Sequence, residues 1–177
     1  MQPPHIKKIL LTKSDIEKKV CELAQQIMRD YREKRPVFIS VLKGTLYFMA
    51  DLTRKIEFPV DIDFMSVGVY PGTTSETGVV RITKDLDRDI SGRHVLMIED
   101  IINTGLTIGY LYQNLQSRNP ASLNICTLLN NPSLRLVDIP VAYSGFDVPD
   151  VPMIGYGLDK NDRFRNLPYI AVIGESE

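Results

Sequence analysis

Val95-Leu96-Met97-Ile98-Glu99-Asp100-Ile101-Ile102-Asn103-Thr104-Gly105-Leu106-Thr107 is the stretch on which the reading turns. Its first four residues form a short apolar run of the kind buried on both faces of a parallel sheet, and they lead straight into two adjacent carboxylates. Neither carboxylate can be buried cheaply without a partner, so something polar must meet them at the carboxyl end of the strand. Thr104-Gly105 then turns into a helix predicted over 104–117. The free backbone N–H groups and the positive dipole end of that helix converge a few residues from the carboxylates, which favours a phosphate. Acceptors for sugar hydroxyls beside an amide cradle describe a receptor for a ribose 5-phosphate. The segment is not a P-loop, which needs Gly-Lys-Ser/Thr after a longer glycine loop. The plainer alternative is that Glu99-Asp100 cap a helix and Thr-Gly makes a turn. The junction of both halves after a buried strand favours a ligand.

Outward from this segment, strand and helix patterns alternate. Ser14-Asp15-Ile16-Glu17 has capping-box spacing, and Ile16, Val20, Leu23, Ile27 and Tyr31 follow at helical intervals, so a first helix is predicted over 14–33. Pro36 stops it, and Val37-Phe38-Ile39-Ser40-Val41-Leu42 reads as a buried strand closed by Lys43-Gly44. A helix over 45–56 and a strand over 60–67 come next. Residues 68–78 contain Pro71-Gly72-Thr73-Thr74-Ser75-Glu76-Thr77, with no apolar anchor, and read as a mobile loop. Further strands are expected over 79–83, 123–129, 141–146, 153–156 and 169–173. The alternation predicts an α/β fold, a mostly parallel twisted sheet flanked by helices, as one domain over 1–177. Ligands of such sheets sit beyond the carboxyl ends of the strands. Three segments compete for that place: Lys43-Gly44, residues 99–107 and residues 159–165.

Composition narrows the classes. The 177 residues are 44% hydrophobic and 24% charged with a net charge of −1, the profile of a globular protein without the basic excess of a nucleic-acid binder. No apolar run approaches the roughly 18 residues of a membrane span, and the first residues lack a signal-peptide pattern, so a cytoplasmic protein is expected. Cys21 and Cys126 show no metal or redox spacing and read as packed thiols. His5 and His94 are the only histidines, which leaves little material for a Ser-His or Cys-His triad.

The segment 95–107 resembles the 5-phosphoribosyl 1-pyrophosphate signature of type I phosphoribosyltransferases. The resemblance extends over nearly the whole chain and is to the bacterial hypoxanthine (guanine) branch. Val41-Leu42-Lys43-Gly44, Gly78-Val79-Val80-Arg81-Ile82, Lys84-Asp85-Leu86-Asp87, Gly155-Tyr156-Gly157-Leu158-Asp159 and Phe164-Arg165-Asn166-Leu167-Pro168-Tyr169 match in the family's order. It implies the family fold, with a small hood formed by terminal segments, and transfer of phosphoribosyl to a 6-oxopurine in purine salvage. Glu99 and Asp100 are implied to bind the ribose hydroxyls, directly or through Mg2+, and Asn103, Thr104, Gly105, Leu106 and Thr107 to wrap the 5-phosphate. A cis peptide before Lys43 and the backbone of Gly44 are implied to meet the pyrophosphate, with Arg165 neutralising it. Asp159 is implied to support a second Mg2+ through water, and Tyr70 to lie in the loop that folds over the reacting centre. A homodimer or homotetramer is the implied assembly. Leu46, Tyr47, Phe48 and Met49 offer an apolar face for either core packing or an interface.

Four positions depart from that pattern, and they cluster in function. The family carries at position 103 an aspartate that accepts the proton from the purine ring nitrogen; Asn103 cannot take up that proton, although it still donates and accepts hydrogen bonds. Asn131 stands where a lysine reads the exocyclic oxygen. Pro152, before Met153, stands where an aromatic residue stacks on the base, and Val69 where the loop offers serine. Ile101 and the backbone near Met153 still provide an apolar slot for a flat base. The residues that grip the donor match, whereas those that read the purine do not. Several explanations stay open: a paralog with another acceptor base, a nucleotide sensor with little turnover, alternative residues that restore purine binding, or an engineered Asn103.

Overall fold

A computed structural model describes residues 5–70 and 79–174. In chain order the elements are β1 (Ile6–Leu11), α1 (Lys13–Tyr31), β2 (Val37–Leu42), α2 (Leu46–Thr53), β3 (Asp61–Tyr70), β4 (Val79–Lys84), β5 (His94–Ile102), α3 (Leu106–Gln116), β6 (Ser122–Asn130), a 3-10 turn (Pro132–Leu134), β7 (Val141–Asp147), β8 (Met153–Ile154) and β9 (Ile170–Ile173). Six strands form one sheet in the order β4-β3-β2-β5-β6-β7, parallel except for the β3–β4 pair. β1, β9 and β8 make a separate three-stranded antiparallel sheet from the two ends of the chain, which is the expected hood.

The central strands read as unbroken apolar runs because both of their faces are covered. On one face Phe38, Leu96 and Ile98 pack with Ile16, Val20, Leu23 and Ile27 of α1 and with Phe48 and Leu52 of α2. On the other, Val37, Ile39, Val95 and Met97 pack with Ile108, Leu111 and Leu115 of α3. Alternate residues of β2 and β5 thus serve opposite cores, as a period of two requires. Cys126 lies in the first core, where burial pushes its thiol pKa up, and Cys21 is half-buried; neither is in a disulfide.

Several boundaries differ from the sequence expectation. The helix cap is Thr12 with Asp15, not Ser14 with Glu17: Asp15 N donates to Thr12 Oγ1 at 3.2 Å and Thr12 N to Asp15 Oδ2 at 2.9 Å. β1 delivers the chain to α1 at Leu11, so Thr12 is the first residue free to cap. Gly68 and Tyr70 belong to β3, paired with Arg81 and Val79 of β4, and not to a loop; residues 71–78 lie outside the described residues. β5 runs on through Glu99 and Asp100 to Ile102, because β6 continues to pair with it at Glu99–Thr127, Ile101–Leu129 and Ile102–Asn130. β2 pairs with β5 only as far as Ser40–Ile98. The carboxylates therefore sit on a strand whose neighbour on one side has stopped pairing. Of the predicted apolar face on α2, Phe48 and Met49 are core, whereas Leu46 and Tyr47 are exposed.

Candidate active site at the carboxyl ends of β2 and β5

The three competing segments converge, and backbone contacts bring them together. β2 ends in a cis Leu42–Lys43 peptide. The following turn is braced by Thr45, buried at 1% exposure, whose Oγ1 donates to Val41 O at 2.7 Å and lies 2.7 Å from Ser40 Oγ. A side chain at Gly44 would overlap the Asp100 carboxylate. Gly157, at φ 103°, lies so close to the Gly44 carbonyl that a Cβ would overlap it as well. Arg165 then donates to Gly157 O at 2.7 Å. Gly44, Asp100, Gly157 and Arg165 thus form a continuous series of contacts between segments remote in sequence.

Asp100 Oδ1 accepts from Ile101 N at 2.8 Å, and Glu99 has no hydrogen-bond or ion-pair partner among the described residues. Burial, and secondarily the charge of Asp100, holds the Glu99 carboxyl well above the usual carboxylate range. Burial also raises Asp100, against the opposing N–H of Ile101. Two adjacent, part-buried carboxylates with no ion-pair partner within 4 Å among the described residues, Asp100 feeling only the more distant charge of Arg165, fit a divalent ion that takes most of its oxygens from water and ligand. Among the described residues no group of three or more His, Cys, Asp or Glu could hold a metal alone.

Beyond β5, Gly105 is the N-cap of α3 at φ 82° and supplies no side-chain cap; Leu106 N donates to Thr104 Oγ1 at 3.4 Å, and the N–H groups after it are left open. The helix begins at Leu106 rather than at 104, and the exposed Leu106 side chain lines neither of the two cavities described next. A cavity of about 300 Å³ is lined by Glu99, Asn103, Thr104, Gly105 and Thr107. A second cavity, of about 350 Å³, is lined by Ile101, Asn103, Asn131, Pro152 and Met153, with Asp100, Asp159 and Arg165 at its edge. Asn103 lines both. Asn131 is 1% exposed, and its Oδ1 accepts from Ser133 Oγ at 2.7 Å.

Lys43 and Arg165 carry the positive charge of the site. Arg165 pairs with Asp159 Oδ1 at 2.9 Å and Asp162 Oδ1 at 3.1 Å; Lys43 Nζ pairs with Asp162 Oδ2 at 2.7 Å. Tyr70 is the last residue of β3. Sequence reading passed over Thr45, Gly157 and Asp162. Gly157 was visible only inside a matched motif, Thr45 only as the start of the predicted helix, and Asp162 meets Lys43 across 119 residues, a spacing that no local pattern reveals.

Comparison with known proteins agrees with this geometry. Residues 8–161 match the model of the phosphoribosyl transferase domain. The chain is 46% identical to the hypoxanthine-guanine phosphoribosyltransferase of Mycobacterium tuberculosis (strain ATCC 25618 / H37Rv), covering 98% of this chain and 89% of the relative. It is also 46% identical to that of Bacillus subtilis (strain 168), covering 98% and 96%. A crystal structure of a hypoxanthine phosphoribosyltransferase from Staphylococcus aureus superposes with a TM-score of 0.91 at 44% identity, covering 96% of this chain and 92% of that one. Cradle, carboxylate pair, fold and sequence agree: the chain belongs to the phosphoribosyltransferase family, with the type I fold.

Proposed function

We propose that this protein transfers the 5-phosphoribosyl group from 5-phosphoribosyl 1-pyrophosphate to a 6-oxopurine, hypoxanthine or guanine, releasing pyrophosphate and a purine nucleotide. The observation that carries the proposal is the convergence of the Glu99–Asp100 pair, the start of α3 and Arg165 around adjoining cavities, with Lys43 brought beside Arg165 through Asp162, in a chain whose curated relatives are hypoxanthine-guanine phosphoribosyltransferases.

In this reading the open N–H groups at the start of α3, with Thr104 and Thr107, hold the 5-phosphate. Glu99 and Asp100 accept from the ribose hydroxyls and orient the anomeric carbon toward the second cavity. The bond from that carbon to the pyrophosphate oxygen breaks, and a bond to the purine nitrogen forms. Lys43, the backbone of Gly44 and Arg165 face the negative charge that develops on the leaving group. Glu99 and Asp100, with Asp159, are the residues that would hold Mg2+, which would supply further positive charge there. Ile101 and Met153 sandwich the base, and Asn131 donates its amide to the exocyclic oxygen. Asn103 accepts a hydrogen bond from the base but leaves the proton to pass to solvent. The protein acts in the cytoplasm as one domain and as a homodimer or homotetramer.

Mixing protein, Mg2+, donor and hypoxanthine or guanine is expected to release pyrophosphate. Absence of release with every purine, while donor still binds, would reject the proposal. A second reading is favoured by one observation, the two amides Asn103 and Asn131 in the base cavity: a diverged protein that keeps the donor but takes another base or senses nucleotides. A panel of purines, pyrimidines and modified bases in the same assay separates the two.

A further inference from the structure

The turn that carries Asp162 places a negative charge where the proposed reaction needs positive ones. Lys160 and Arg163 exchange backbone hydrogen bonds of 3.2 Å in both directions, and the two residues between them, Asn161 and Asp162, have φ values of 54° and 59°. Positive φ at both central positions is the geometry of a type I′ turn, and Asn and Asp adopt it more readily than other residues with a side chain. The Asp162 N–H also donates to Asp159 Oδ2 at 2.7 Å. So anchored, the Asp162 carboxylate receives Lys43 Nζ at 2.7 Å on Oδ2, while Arg165 Nε and a terminal guanidinium nitrogen approach Oδ1 at 3.3 and 3.1 Å.

We infer that Asp162 is an internal competitor for the pyrophosphate subsite: its carboxylate occupies the space between Lys43 and Arg165, and pyrophosphate binds by displacing it from both cations. The inference rests on the proposed function, in which those two cations face the leaving group. Displacement is easy, because the side chains of Lys43 and Asp162 are 67% and 59% exposed and such pairs hold weakly. Arg165 does not swing away with its competitor. Asp159 still pairs with it at 2.9 Å, and the Gly157 carbonyl still receives its other terminal nitrogen at 2.7 Å. A carboxylate that remains beside the subsite repels the bound anion. The donor is held less tightly than two free cations would hold it, and the product pyrophosphate is expelled sooner.

Calorimetric titration of the full chain with pyrophosphate and Mg2+, and separately with inosine 5′-monophosphate, tests this in the wild type, Asp162→Asn and Asp162→Glu. Asp162→Asn is expected to bind pyrophosphate about fivefold more tightly, from removal of one exposed like charge. Nucleotide affinity should not change, and Asp162→Glu, which keeps the charge, should not gain the tighter pyrophosphate binding. Equal or weaker pyrophosphate binding by Asp162→Asn, with nucleotide binding intact, would overturn the inference and leave the proposed function standing. A parallel change in both affinities would assign Asp162 to the shape of the turn and overturn it equally. If wild type binds neither ligand, the proposed function itself is wrong.

Discussion

The two halves of the cleft are built from different materials. The half assigned to phosphate and pyrophosphate is made largely of backbone: the cis peptide before Lys43, Gly44 against Asp100, Gly157 against Gly44, and the start of α3. The half assigned to the base is made of side chains, with Asn103, Asn131, Pro152 and Met153 around one cavity. A backbone cradle depends on chain path and tolerates few substitutions, whereas a pocket lined by side chains can be rewritten one residue at a time. Of the departures that the resemblance implies, those at 131 and 152 fall in the second half, and the one at 103 lies where the two cavities adjoin.

The largest expected effect tests whether the base half alone limits the reaction. Asn103→Asp places a carboxylate at a position that lines both cavities, and turnover with a 6-oxopurine should rise by about 10²-fold or more in steady-state kinetics, with the KM for donor little changed. Unchanged turnover would break the contrast between the halves. On the donor side, Gly157→Ala adds a Cβ that overlaps the Gly44 carbonyl at a φ of 103°. It should lower unfolding stability by about 3 kcal/mol in denaturant titration and weaken donor binding, since Arg165 is anchored on the same residue. Full stability in this variant would show that the cradle yields as readily as the pocket.

Glu99→Gln gives the smallest of these effects. Burial first and the Asp100 charge second raise the Glu99 pKa in the folded state above its ordinary 4.5. The folded protein therefore binds more protons than the unfolded chain, and stability falls as pH climbs from about that ordinary value through the raised one. Removing the charge should flatten that slope and raise Tm at pH 7 by about 2–4 °C in calorimetry, at the expense of donor affinity. A lower Tm would mean that Glu99 is already compensated.

The sandwich core was legible because Val37-Phe38-Ile39 and Val95-Leu96-Met97-Ile98 are unbroken apolar runs, and only a doubly covered strand uses such a run. The helical period of Ile16 to Tyr31 was equally plain. β1 was not: Ile6-Lys7-Lys8-Ile9 is exposed throughout, and what makes it a strand is antiparallel pairing with β9, more than 160 residues away in the numbering. The cap of α1 was misread for a related reason, since Thr12-x-x-Asp15 and Ser14-x-x-Glu17 overlap and only the end of β1 selects between them. In the cleft, Glu99, Asp100 and the turn into α3 were visible as one contiguous segment, and Lys43-Gly44 and Asp159 to Arg165 as motifs. Their mutual contacts were not, because Gly44, Asp100 and Gly157 meet only when three strand ends are brought together.

That three-way meeting bears on how the protein can diversify. Where one segment's carbonyl presses on another segment's alpha carbon, an added methyl group displaces both loops. The base-facing positions have no such interlock. New acceptor preferences are therefore reachable through viable single-step variants, while the grip on the activated sugar is handed down almost unaltered, so lineages sharing this scaffold should differ in what they attach far more than in what they attach it to.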